Sequence, residues 1–350
     1  MTLTGPAALA LLRAGQVAAL LVLFGTLAFR AWMLGRAVTP ELGRALRKTE
    51  LVAAAVALGC GAAWFLAEAA LLGDARSLGQ AIATLPAMLD YLGFARWLLT
   101  RLGLLVLVLA GVALGPAEGL RGWRFGVLFV LAGAALGIEP WLGHAGAAGG
   151  AAGAALPGAE LIHLAGAGLW LGGLPALLVV LRHGTDAAAG RTLRLFSTVS
   201  LGAVLAIAAG GAAQGWFLVG GLARLSGTGY GRVVLLKTAL FVAALTLAAV
   251  NRLVLIPRLD GVGAAVARAR LRGSVAIEAG LGLAIVLAAG WLAGLPPGAD
   301  QASAGARFWP WLPAGLIVVL AIAGALWFAR PAASSEVQVS GVAHDRPPAC

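Results

Sequence analysis

The chain has 350 residues, 61% of them hydrophobic and 11% charged. A soluble domain carries roughly a quarter charged residues, so composition excludes one and predicts an all-α polytopic membrane protein. The net charge of +11 does not point to nucleic acid, because the basic residues sit in short loops between apolar runs, where they orient helices in a bilayer.

A spanning helix needs about 20 mostly apolar residues. That window predicts spans near 7–29, 51–72, 95–115, 123–143, 158–181, 195–221, 231–250, 274–295 and 310–329, about nine transmembrane helices in all. Gly, Pro and charge clusters separate them, as in Gly115-Pro-Ala-Glu-Gly and Leu295-Pro-Pro-Gly-Ala-Asp300. The first run has no basic residues ahead of it and is expected to be a spanning helix, not a cleaved signal. Segment 74–93 mixes Asp74, Arg76, Asp90 and Tyr91 with apolar residues and is expected to lie on the surface as an amphipathic helix. The tail from Pro331 to Cys350 is polar and Pro-rich, and is expected to be disordered. Cys60 reads as a small buried hydrophobe, and with Cys350 it makes no disulfide framework.

Basic residues set the expected orientation. Arg30, Arg36, Arg44, Arg47 and Lys48 follow the first span. Arg121 and Arg124 follow the third, Arg182, Arg191 and Arg194 the fifth, and Arg252, Arg258, Arg268, Arg270 and Arg272 the seventh. By the positive-inside rule the N-terminus lies outside and the C-terminus in the cytoplasm.

An internal echo links Phe94-Ala-Arg-Trp-Leu-Leu-Thr-Arg101 with Tyr230-Gly-Arg-Val-Val-Leu-Leu-Lys237; each opens a span with two cations five residues apart. It suggests two parallel four-helix repeats plus one C-terminal helix. The expected division is 1–150, 151–298, an extra span in 299–330, and a cytoplasmic tail in 331–350. Arg101 and Lys237 lie deep enough to need partners, and by depth Glu68 is the candidate. Glu278 is expected to pair with Arg252 or Arg272.

Ionisable residues inside spans are functional candidates by default. Glu160 and His163 stand three apart at the start of the fifth span, hence on one helical face. His144 ends the fourth span with Glu139 just inside it. On this topology all four gather at the outer side, with Gln214 and Arg13 at similar depth. Two imidazoles with carboxylates suit a first-row transition metal, imidazole favouring copper or zinc. Other readings stay open: an intramembrane His bonding a backbone carbonyl, Glu160 complementing its helix dipole, or a proton relay. The three methionines, Met1, Met33 and Met88, form no thioether ladder. No Gly-x-x-x-x-Gly-Lys-Ser/Thr loop occurs, so no nucleotide partner is expected, and no catalytic constellation marks an enzyme.

Several blocks, in order and at matching spacing over about residues 90–298, resemble the copper resistance protein D (CopD) family of bacterial inner-membrane proteins. They are Gly143-His144-Ala145, His163-Leu-Ala-Gly-Ala-Gly-Leu-Trp170-Leu-Gly-Gly173, Arg194-Leu-Phe-Ser197, Thr228-Gly-Tyr-Gly-Arg232 with Lys237, Asn251-Arg252, Arg270-Leu-Arg-Gly-Ser-Val-Ala-Ile-Glu278 and Pro296-Pro297. The resemblance implies copper movement from the periplasm inward across the cytoplasmic membrane. It also implies a periplasmic copper-binding partner, CopC, here on a separate chain. It makes His144 and His163 the expected copper ligands, assisted by Glu160 or Glu139. The family is also grouped with di-haem membrane cytochromes, but two spanning histidines at one side do not suit two haems. The other function classes weighed are a b-type haem electron carrier and a non-transporting scaffold for a periplasmic partner.

Overall fold

A computed structural model describes residues 5–34, 38–116, 122–184, 186–260 and 263–300. Among these the secondary structure is helical, with no strand. The first half contains α1 (Pro6–Trp32), α2 (Pro40–Leu72), α3 (Leu78–Tyr91), α4 (Gly93–Ala113), α5 (Trp123–Gly137) and the short α6 (His144–Ala147). The second half contains α7 (Gly150–Trp170), α8 (Leu174–His183), α9 (Asp186–Val219), α10 (Leu222–Gly227), α11 (Gly229–Val250) and α12 (Ala264–Leu292).

Eight of the described helical segments are long and apolar enough to cross a membrane. They coincide with the first eight expected spans, α5 being lengthened by a 3-10 turn at Glu139–Leu142 and α7 running on through α8. Segment 74–93 forms α3, a 14-residue helix, and does not span. The ninth expected span and the tail lie outside the described residues.

Local chemistry sets the boundaries. Thr39 caps α2, its hydroxyl accepting from the Leu42 amide ahead of Pro40, and Ser77 and Thr228 cap α3 and α11 in the same way. Span five breaks because Gly172 and Gly173 favour no helix and Pro175 supplies no amide, leaving a 3-10 turn at Leu171–Gly173. Span seven ends in a π turn at Asn251–Leu255, directly before the ring of Pro257 disturbs the ladder.

The bundle is arranged around α1, which packs against α2, α5, α7, α8 and α12. Its Leu20, Leu23 and Phe29 are fully buried. Around this axis α2 packs on α4, α4 on α5, α7 on α9, and α11 on α12. Leu107, Val130 and Leu205 point outward and exposed, as lipid-facing side chains do in a bundle whose backbone bonds are satisfied internally. At the end where α1 stops, Arg30 pairs with buried Glu50 at 2.8 Å. There the Arg47 side chain donates to the Val112 and Ala113 carbonyls at 3.1 and 2.8 Å, covering the C-terminus of α4.

Candidate functional site

Spans alternate in direction, so the N-terminal turns of α1, α7 and α11 and the C-terminal turns of α9 and α12 share one end of the bundle with α6. A cavity of about 480 Å³ opens there. All four residues singled out from the sequence, Glu139, His144, Glu160 and His163, line it. Arg13, Gln214, Tyr230 and Lys237 line it as well.

The four residues are held differently. His163 Nδ1 lies 2.9 Å from the Ile207 carbonyl of α9. As a carbonyl only accepts, Nδ1 carries the proton and Nε2 keeps its lone pair. Gly210 and Gly211 admit the ring, since a Cβ at Gly210 would stand 2.8 Å from that of His163. The carbonyl bond foreseen as the plain structural role of this residue is therefore present, and it prepares the other nitrogen for a ligand.

His144 is half-buried beside the Tyr230 ring, centroids 6.2 Å apart, and its Nε2 is buried without a hydrogen-bond partner. Burial, together with the nearby Arg13 guanidinium, holds its imidazole below the usual range. Glu160 is half-buried at the cavity wall, within electrostatic range of Lys237 across the cavity.

Glu139 has its oxygens occupied. Its Oε1 accepts from Arg13 Nη2 at 3.1 Å and Nε at 3.3 Å, and its Oε2 accepts from Arg101 Nη1 at 2.6 Å. Arg101 Nη1 also donates to Gln16 Oε1 at 3.3 Å. This corrects the expected pairing of Arg101 with Glu68, which instead accepts from the Trp64 indole at 3.0 Å on its own helix. Rotation about the α2 axis, not depth, decides the matter. Lys237 likewise faces the cavity and Glu160. Glu278 accepts from Trp170 and Asn251, not from Arg252, whose guanidinium goes to Ser197. Arg13 and Gln214, expected at this depth, line the cavity as foreseen. Tyr230 and Lys237 were not placed at the site, and the echo around them was their one signal.

Among the described residues no three His, Cys, Asp or Glu side chains stand together as a metal-binding group.

Fold and cavity together define a multi-pass helical membrane protein with a largely apolar chamber, bearing imidazole and charged side chains, at one end of its bundle. Comparison with known proteins gives the family. The model described as "Copper resistance protein D-like, N-terminal domain" matches residues 2–154, and that of "Copper resistance protein D" matches residues 190–292. The chain belongs to the copper resistance protein D family. It is 35% identical over 96 residues to the copper transport protein CutJ of Bacillus subtilis (strain 168), a stretch that covers 26% of this chain and 18% of that relative. No solved structure matches it.

Proposed function

We propose that the protein accepts copper into this cavity from the periplasmic side of the bacterial inner membrane and passes it inward, the N-terminus lying outside. One observation carries the reading: His144 of α6 and Glu160 and His163 of α7 line a single chamber, and the hydrogen bond to Ile207 leaves Nε2 of His163 as a lone-pair donor. Neutral imidazole is a suitable copper ligand, and a carboxylate beside it offsets the incoming charge. Glu139, engaged by two guanidiniums, anchors the rim and is the weaker ligand of the pair of carboxylates. The match to a copper transport protein supports movement of copper over storage. A separate periplasmic copper-binding chain of the CopC type is the donor in this scheme.

The test is copper per protein on purified, copper-loaded material, wild type beside the His144→Ala/His163→Ala double variant. Near-stoichiometric copper in the wild type and almost none in the variant is expected. Equal copper in both, with the variant inserted and folded, sinks the site. An absorption spectrum of the same sample, reduced minus oxidised, carries no haem band on this reading.

A further inference from the structure

Beneath the cavity floor lies a carboxyl that the copper site does not use. Glu278 sits midway along α12 and is 2% exposed. Two irregular turns converge on it. Trp170, where α7 gives way to the 3-10 turn, donates its indole N–H to Oε1 at 2.7 Å. Asn251, the first residue of the π turn, donates its amide N–H to Oε2 at 3.0 Å. The Trp170 ring also packs edge-on against Phe241 at 5.7 Å. Phe241 and the adjoining Leu171 line the cavity, so Trp170 is the partition between chamber and carboxyl.

No charge balances this group. Trp170 from α7, Asn251 from the π turn and Ser274 from α12 surround it, all of them neutral. Of the charged side chains on the packed elements, Arg252 bonds Ser197, Arg30 pairs with Glu50, Arg13 with Glu139, His183 meets Glu41, Arg268 donates to the Gly184 carbonyl, and Lys237 lines the cavity with Glu160 and His163. Among the described residues no ion pair reaches Glu278. A bare carboxylate held by two neutral donors in a buried site is costly.

Two unpaired atoms lie nearby. Asn251 Oδ1 and Ser274 Oγ are both buried without a hydrogen-bond partner, and Ser274 stands one helical turn from Glu278 on the same face. The Ser274 hydroxyl can donate or accept, but Asn251 Oδ1 can only accept, and the O–H of a protonated carboxyl supplies a donor for it. A metal ion would instead face two inward-pointing N–H groups.

We propose that Glu278 is a proton-binding site between the cavity and the opposite end of the bundle, through which a proton gradient acts on the transporter. The carboxylate takes one proton from water on one side to give the neutral acid and returns it to water on the other when Trp170 shifts; no electrons move. The coupling rests on the transport reading above, whereas the proton site does not.

Infrared difference spectra of the full chain in lipid nanodiscs, recorded between acid and alkaline pH without copper, test the site. Among the C=O stretches of the chain's other Asp and Glu residues, one component from a buried protonated carboxyl is expected in the wild type, lost in Glu278→Gln and retained in Glu160→Gln. A band that survives in Glu278→Gln, or the lack of any such band in the wild type, overturns the site. Should Glu278→Gln fail to fold, Trp170→Phe removes one donor and must shift the band; an unmoved band overturns the proposal equally. In proteoliposomes an imposed pH gradient should change wild-type copper uptake several-fold and leave Glu278→Gln indifferent. Wild-type uptake that ignores the gradient overturns the coupling, while no uptake under any condition counts against the transport reading and leaves the infrared result standing.

Discussion

Glu139 holds two guanidiniums at once, and the side chain of Arg101 is 0% exposed in that arrangement. Removing a carboxylate from a buried ion pair leaves an uncompensated charge and costs about 3–5 kcal/mol. Glu139→Ala should therefore lower the thermal unfolding midpoint markedly, whereas Glu68→Ala, which loses one bond to Trp64, should cost only about 1 kcal/mol. Equal midpoints for the two variants would show that the cluster does not hold the rim. His163→Ala should instead insert normally and lose copper-dependent growth; full complementation by an inserted variant removes His163 from the pathway. Residues of this kind were only half legible in the sequence. Alternation of spans brought Glu139, His144, Glu160 and His163 to one end on depth alone. Which of them were already engaged depended on helix rotation, and hydropathy windows carry no rotation.

At the scale of elements, α1 and the 3-10 turn after α7 approach each other backbone to backbone. A Cβ on Gly25 would run into the backbone of Gly168 and Gly172, and one on Gly172 into the carbonyl of Leu21. Backbone cannot give way as a flexible side-chain end can, so Gly172→Ala should cost about 1–3 kcal/mol by overpacking and reduce the folded fraction on size exclusion. Gly103→Ala, with nothing within 4 Å of the added Cβ, is the control and should be neutral or slightly stabilising. Equal folded yields would mean that the two backbones separate freely. The spans themselves were plain in the sequence because each is a long apolar run between Gly, Pro and charge. The 3-10 and π turns were not, although Gly172-Gly173 with Pro175 and Pro257 mark them in hindsight. Without those turns Trp170 and Asn251 could not be placed on Glu278, 108 and 27 residues away in the chain.

For the whole molecule, orientation is the property on which the transport reading leans. On the proposed orientation, with the N-terminus outside, α3, preceded by Ser77, lies on the outer surface. In a background lacking both cysteines, Ser77→Cys should react with an impermeant maleimide added to spheroplasts, while His183→Cys should react only after lysis. The reverse pattern would invert the protein and turn its cavity toward the cytoplasm. The contact between Gly25 and Gly172 also has a mechanical meaning. Two backbones that touch in a packed core can roll over each other but cannot part without opening a void, which makes this point a fulcrum. It is not central. From Pro6 to Gly25 the first helix runs about 28 Å on the chamber side, and from Gly25 to Trp32 only about 10 Å on the other. A lever with arms in that proportion turns a sub-ångström adjustment at the short end into a displacement nearly three times larger at the mouth, so the chamber can gape while the far end of the bundle barely stirs.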